Sequence, residues 1–401
     1  MTEVFNVVIV GAGASGLMCA AQAGKRKKKV LVLDHGSAPG RKILMSGGGR
    51  SNFTNKRVSA DNFLSSNPHF SKSAISRYAS RDFVELVDRY GISYQERSHG
   101  QLFCTDNASQ ILDMLLAECR KAKVKISMNT PIHKIETLSS KTDMSDALKF
   151  RIHAESRKID TASLVIATGG VSIPGAGATP FGYQVAEQFD IPVIPLRPGL
   201  VPFTLQPKDK KILQPLAGIS VDAKVSSPLA VFSEKLLFTH RGLSGPVILQ
   251  VSSYWQPGQT ITIDLLPFDN LLDTLKNEQA SRPKKLSRSI LYERLPKRLV
   301  DVRLDGCQSD RPIGSVSHDQ LRQIASAFHE WQIKPGGTEG YRTAEVTVGG
   351  VDCNYISSKT MEARKVPGLF FIGEILDVTG WLGGYNLQWA WSSGFCAGQY
   401  V

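Results

Sequence analysis

Three glycines and one carboxylate, spaced as in a nucleotide-binding turn, are the residues of this chain whose pattern most directly implies chemistry. Gly11, Gly13 and Gly16 form G-x-G-x-x-G, and Asp34 lies 18 residues beyond the last of them. Glycines at these positions have separable tasks. The first permits a tight turn, the second lets a pyrophosphate approach the backbone, and the third brings a helix close to a strand. Ala14 and Ser15 fall where the backbone N–H groups of a helix start would face the phosphates. Asp34, with His35 beside it, stands where a carboxylate accepts hydrogen bonds from an adenosine ribose. These residues need a particular frame to position them. The run from Val7 to Val10 reads as a fully buried parallel strand, Leu17 to Ala23 as a helix, and Val30 to Leu33 as a second strand ending at the acid. Strand, glycines, helix, strand and acid occur in register.

The choice between NAD and FAD rests on residues further along. From Gly40 to Asn55 the chain reads GRKILMSGGGRSNFTN. Gly47, Gly48 and Gly49 in a row would weaken helix or strand, so they suit a loop whose N–H groups touch an anion or a flat ring. Arg41, Lys42 and Arg50 add positive charge, while Ser46, Asn52 and Thr54 add neutral donors. An NAD site needs no such second loop. FAD, with its ribitol and bulky isoalloxazine, would use it. Leu164 to Ala167 reads as a buried strand running into Thr168, Gly169 and Gly170, which returns the chain to the sheet beside the cofactor. Leu369 to Ile372 forms another strand, Gly373 and Glu374 follow it, and Gly383-Gly384 introduces a helix from about Asn386 and Leu387. Glu374 is placed to bond the ribitol hydroxyls. The helix start would face the flavin pyrimidine edge and stabilise negative charge there on reduction. Ile132 is the remaining residue expected at the cofactor. FAD is therefore the expected bound cofactor. NAD(P)H, as electron donor, would visit transiently, because no second complete G-x-G-x-x-G exists and Gly175-Ala176-Gly177 has Pro180 in place of a third glycine.

The segments GRKILMSGGGRSNFTN, LLFTHRGLSGPVIL, AEVTVGGV, KTMEARKVPGLFFIGEILDVTG and GGYNLQWAWSSG together resemble the BaiN/YhiN-like bacterial FAD flavoprotein family. The resemblance spans the whole chain. It implies an NAD(P)/FAD-dependent oxidoreductase, related in fold to the fumarate-reductase and glutathione-reductase flavoproteins, with an FAD domain interrupted by a β-barrel that itself carries a helical unit. One family member reduces unsaturated bile-acid intermediates. Three places depart from the family pattern. Ser51 stands where a cysteine is usual, so thiol chemistry at that position is impossible; the loop after Pro174 reads GAGATPFGY, and Phe103-Cys104 replaces Phe-Pro.

Composition fits an α/β fold of several domains. A chain of 401 residues is long for one core. The expected division is a two-part Rossmann-like FAD domain at 1–190 and 351–401, a β-barrel at 191–267 and 332–350, and a helical domain at 268–331. Five prolines between 192 and 207 mark the first crossing. No apolar run approaches the roughly 20 residues of a membrane span. The six cysteines show no C-x-x-C and the histidines no metal spacing, so disulfide relay and metal chemistry are not expected, and a reduced cytoplasmic setting is. Net charge is +12, with eight basic side chains against Glu293 and Asp301 between residues 281 and 303. That segment has only Tyr292 for base stacking, so it reads as a solvated helical face or a site for acidic substrates in preference to a nucleic-acid surface. The sequence does not indicate an oligomeric state.

Catalytic residues are harder to name. In FTHRGLSGP, His240 would donate a proton and Arg241 would clamp an anion, or both would merely hold a domain junction. Tyr385 would line the flavin face, donate a proton, or pack. Trp381, Trp389 and Trp391 read as core. The expected reaction is hydride transfer from NAD(P)H through flavin N5 to an activated C=C bond of a small molecule. The alternatives are a dehydrogenase or oxidase running in the opposite direction, and an RNA-associated or redox-sensing flavoprotein whose FAD is structural.

Overall fold

The computed structural model describes residues 2–138, 147–155, 157–305 and 311–401; Cys307 lies outside them. Within these bounds the chain forms two compact units, one of residues 1–197 and 346–401, the other of 198–345. The division falls a few residues from the expected 190/191 and 350/351 boundaries.

The first unit is built on a seven-stranded sheet. Thr2–Val10 lies at its centre, parallel to Val30–Leu33 on one side and to Arg157–Ile166 on the other. Lys125–Ser127 extends the parallel part beyond Val30–Leu33. The strand Arg157–Ile166 is shared. Its first half pairs antiparallel with Phe150–Ala154, and its last residues, Leu164 to Ile166, pair in parallel with Leu369–Phe371. A strand buried on both faces must be apolar throughout. The residues Val7 to Ile9, Leu31 to Leu33 and Leu164 to Ile166 satisfy this, each at or below 1% exposure. Each such side chain contributes about 1.5–3 kcal/mol over leaving it in water. Because the strands are parallel, their C-terminal ends gather at one edge, where glycine turns follow Val10, Ile166 and Ile372. In open α/β sheets that edge is where ligands bind.

The helix Ala14–Lys25 packs on this sheet, and the C-terminal helix Tyr385–Gly398 lies alongside it. Their approach depends on glycine. A Cβ on Gly394 would lie 2.5 Å from the Ser15 carbonyl oxygen, and one on Gly398 would lie 2.5 Å from Gln22 Cβ. Later residues meet later residues, so the two helices run in the same direction. A smaller three-stranded sheet, Asn52–Asn55, Gln101–Cys104 and Tyr94–Arg97, carries the second glycine segment.

The second unit holds a seven-stranded sheet from Phe203–Leu205 to Pro335–Thr338, with antiparallel pairing throughout. The helical segment expected to be a domain of its own shares the core of this sheet. Leu271, Leu275, Ile290, Leu299 and Phe328 are buried in one apolar cluster with Val225, Ile261 and Ile263. The helices pack on one another, and His318–His329 carries that layer onto the sheet.

Candidate flavin-binding site

The glycine turn divides its work as the spacing implies. Gly11 has φ of +112°, and a Cβ there would sit 2.4 Å from the Ala167 carbonyl oxygen. A Cβ on Gly16 would sit 2.0 Å from the Gly11 carbonyl oxygen. Both therefore serve close packing. Gly13 differs, because a Cβ there would meet nothing within 4 Å. The open side of Gly13 is a cradle left by the chain at the head of the first helix. That helix has Gly13 as its N-cap, no capping side chain and no acidic residue in its first turn. Its positive end is thus left for an external anion.

Asp34 ends the second strand at this turn. One carboxylate oxygen accepts the Ala12 N–H at 2.7 Å and the other the Gly36 N–H at 2.7 Å. These bonds fix the carboxylate and brace the turn, and each oxygen keeps a further lone pair for a ribose hydroxyl. The Thr130 N–H donates to the Asp34 carbonyl at 2.8 Å, which brings the segment leading to Ile132 alongside. Ile132 itself is partly buried against the core. His35 is exposed, with Nδ1 3.9 Å from Asp34 Oδ1. Arg41 donates to the Ser37 hydroxyl at 2.7 Å, and a Cβ on Gly177 would approach both Arg41 and His35 within 3.5 Å.

The second glycine run is a tight turn at Ser46–Gly49 in which Gly47, Gly48 and Gly49 all take positive φ, between +58° and +84°. A side chain there would be strained in any case. Around Gly48 and Gly49 a Cβ would find open space, whereas at Gly47 it would strike the Asn52 N–H and the Phe103 ring at 2.8 Å. The turn therefore rests on Phe103 with its outer glycines open. Ser46 is turned inward, donating to the Ile43 carbonyl at 2.7 Å. Arg50 is exposed.

The C-terminal helix begins beside this turn. A Cβ on its N-cap Gly384 would lie 2.4 Å from the Thr54 carbonyl oxygen, and one on Gly383 would lie 3.1 Å from the Gln101 amide. Asn52, with its amide turned to satisfy both ends, accepts the Gly384 N–H at 3.1 Å. Asn386 is occupied by its own turn. Its side chain accepts the Gly380 N–H at 2.8 Å and donates to the Gly380 and Trp381 carbonyls. Leu387 packs partly buried against the core. Like the first helix, this one has no capping side chain and no acid in its first turn. Gly384 lies ten residues before Gly394 and Gly13 two before Ser15, so the two helix starts are staggered by about 12 Å at roughly 1.5 Å per residue. A pyrophosphate at one and a flavin pyrimidine edge at the other, joined by a ribityl chain, suit that stagger.

Between the two starts lies a network that sequence reasoning found only in part. Lys42 donates to Glu374 Oε2 at 2.7 Å and to the Ser172 hydroxyl at 2.9 Å. Glu374 Oε1 accepts from Ser172 at 3.0 Å and from the Thr347 N–H at 2.9 Å. Burial alone would push the Glu374 carboxyl up, but the Lys42 ammonium and these donors outweigh it and hold its pKa below the ordinary range. Glu374 thus stands charged where ribitol hydroxyls would lie, already committed to protein donors. Gly169, next after Thr168, borders it; it has φ of +72°, and a Cβ there would be 3.9 Å from Glu374. Gly373 packs on Ser15, closing the gap between the last strand and the first helix. Ser172 and Thr347 were not foreseen, because their role depends on contacts between segments that no local pattern links.

Of the expected catalytic residues, Tyr385 is 7% exposed, its ring edge-on to Phe63 at 6.3 Å and to Trp381 at 6.3 Å. His240 and Arg241 belong to the second unit, on an exposed turn held by the Thr239 hydroxyl; Arg241 lies 3.5 Å from Glu339. Trp389 and Trp391 are core, each indole N–H bonded to a backbone carbonyl. In the basic 281–303 segment, Lys285, Arg288 and Arg294 lie in ion pairs with Glu293, Asp301 and Asp269. Among the described residues no group of side chains is arranged to hold a metal ion, and no helix is long and apolar enough to cross a membrane.

Two uncapped glycine-headed helices side by side, an acid at the second strand end of a parallel sheet and an open glycine turn define a Rossmann-type FAD-binding oxidoreductase. The chain belongs to the family described as HI0933-like protein Rossmann domain, which matches residues 5–400. It is 51% identical to a ribosomal RNA dihydrouridine synthase of Escherichia coli (strain K12), covering 99% of this chain and 98% of that one. The protein of the same name from Haemophilus influenzae is 49% identical over the same shares. A 3-dehydro-bile acid delta(4,6)-reductase of Clostridium scindens is 28% identical over 98% of both chains. The solved structure of a 3-ketosteroid-delta4-(5alpha)-dehydrogenase from Rhodococcus jostii RHA1 shares the fold, with a TM-score of 0.50 and 11% identity over 99% of this chain and 97% of that one.

Proposed function

We propose that this flavoprotein reduces the C5=C6 double bond of a uridine in ribosomal RNA, with NAD(P)H as electron donor. The observation that carries the substrate class is full-length likeness, at half identity, to relatives named for making dihydrouridine in ribosomal RNA. The chemistry agrees with the reaction class read from the sequence. In uracil the C5=C6 bond is conjugated to the C4 carbonyl, so it is the kind of activated double bond expected from the sequence. The small-molecule acceptor expected there gives way to a base within a polymer.

FAD, when bound, supplies hydride exchange between nicotinamide and the acceptor. This chain's residues provide the setting. Gly13 and the first helix would hold the pyrophosphate, Asp34 the ribose, and Glu374 with Lys42 the ribityl segment. The start of the C-terminal helix would stabilise negative charge at the pyrimidine edge. For the uridine, hydride adds at C6, the displaced electron pair moves toward C5 and O4, and a proton completes C5. NAD(P)H becomes NAD(P)+, and the base gains two hydrogens. His240 is the proposed proton donor and Arg241 the proposed anion clamp, with Tyr385 as the other donor.

The test is made on RNA from cells lacking this protein. Such ribosomal RNA should lack a dihydrouridine that the purified flavoprotein restores when given NAD(P)H. A flavin that delivers electrons to enones or quinones and never to that RNA would overturn the reading.

A further inference from the structure

The three-stranded sheet that supports the glycine turn carries more positive charge than a flavin site uses. Arg97 ends one strand, opposite Gln101. Its guanidinium lies over the Phe103 ring at 4.2 Å from the centroid, the same ring on which Gly47 rests. Arg57 follows the neighbouring strand, and its stem passes 3.4 Å from where a Cβ on Gly100 would be. Both arginines are exposed, and neither has a carboxylate partner among the described residues. The adjacent acid, Glu96, is taken by Lys56 at 2.6 Å.

This charge is tied rigidly to the flavin side through one buried amide. Asn55, 1% exposed, accepts the Arg57 N–H at 2.8 Å. Its amide N–H groups donate to the His99 carbonyl at 3.1 Å and to the Gly383 carbonyl at 3.0 Å. One side chain thus joins the Arg57 turn, the turn after Arg97 and the glycines that head the C-terminal helix. The central strand of the sheet, Gln101–Cys104, runs between them. Arginine offers a planar fork suited to phosphate oxygens, and stacking on an aromatic ring leaves that fork's edge outward and pre-aligned.

We propose that Arg57 and Arg97 form a phosphate-binding rim beside the flavin turn, which takes the backbone of a single-stranded or everted RNA segment on either side of the base being reduced. The proposal rests on the uridine reading and assigns to it two positioning residues, in place of the 281–303 segment, where Arg282, Lys285, Arg288 and Arg294 lie in ion pairs. Backbone contacts fix register without reading sequence, so the rim determines that the substrate is a strand, and the pocket determines the base.

The experiment compares the FAD-loaded wild type with Arg57→Gln/Arg97→Gln and with Arg97→Lys. The double variant should retain FAD and wild-type NAD(P)H-driven reduction of a small quinone. Its KM for a ribosomal RNA fragment should rise at least tenfold, with little change in kcat. Its affinity for a single-stranded RNA oligonucleotide should lose about 1.4 from the slope of log K against log salt, at roughly 0.7 per phosphate contact. Arg97→Lys keeps the charge without the planar fork and should fall between them. Wild-type KM and salt slope in the double variant would overturn the rim. If the wild type makes no dihydrouridine in RNA, the uridine reading fails by itself, and the oligonucleotide slopes still decide whether the rim binds RNA.

Discussion

Gly13 and Gly16 are three residues apart and face opposite demands, which makes them a controlled pair. Gly16→Val would drive a side chain into the Gly11 carbonyl oxygen, 2.0 Å from the new Cβ, so the variant should fail to fold or melt far below wild type. Gly13→Val enters open space, so the apoprotein should fold with near-normal thermal stability while FAD retention is lost. An apoprotein damaged equally by both would show that Gly13 serves packing. Acid sensitivity is also local. Burial would raise the Glu118 carboxyl, but Lys25, the Tyr90 hydroxyl and Lys121 together lower it to about 2. A depressed carboxylate stabilises the fold above its unfolded pKa, near 4.5, and that contribution is lost as pH falls toward about 2. Urea titrations across this window should show the loss, and Glu118→Gln should flatten it. At the proposed proton donor, His240→Gln should leave flavin reduction intact and slow substrate-dependent reoxidation by about 10²–10⁴-fold. Unchanged reoxidation would transfer the role to Tyr385, where Tyr385→Phe is the corresponding test.

Among the elements, the strands and the two glycine-headed helices were legible because their signals are local. Four-residue apolar runs, a G-x-G-x-x-G and a Gly-Gly pair each announce themselves within a dozen residues. What was not legible is what distant segments do to each other. Glu374 could be placed at a cofactor from its position after a strand, but its bonds to Lys42, Ser172 and Thr347 join four places in the chain. Asn386 read as a cofactor contact, and its side chain also staples the Gly380–Trp381 turn. Asn386→Ala should therefore cost about 1–3 kcal/mol of stability, the price of unpaired turn groups, with FAD affinity changed less than stability; a selective loss of FAD would restore the cofactor role. The C-terminal helix makes an electrostatic prediction. Its uncapped start should raise the flavin potential above that of free FAD and favour a sulfite adduct at N5. An unchanged or lowered potential, measured against redox dyes, would mean that the helix start does not meet the flavin.

At the scale of the molecule, residues 198–345 form a contiguous stretch with a core of their own. The Glu345 N–H donates to the Leu200 carbonyl at 3.3 Å, so the stretch begins and ends close together. Joining Arg197 to Val346 through a short glycine turn should leave a folded protein that still binds FAD, read by its absorbance after gel filtration. Loss of FAD there would show that the cofactor needs the second unit. The central claim is that electrons pass from NAD(P)H through bound FAD to a uridine of ribosomal RNA. The most direct measurement mixes the protein, reduced anaerobically by one equivalent of NAD(P)H, with unmodified ribosomal RNA in a stopped-flow instrument. The flavin absorbance should return in step with one dihydrouridine formed per flavin, and RNA already carrying dihydrouridine at that position should leave the flavin reduced. A flavin that stays bleached with unmodified RNA, yet reoxidises with a steroid enone, would contradict the account.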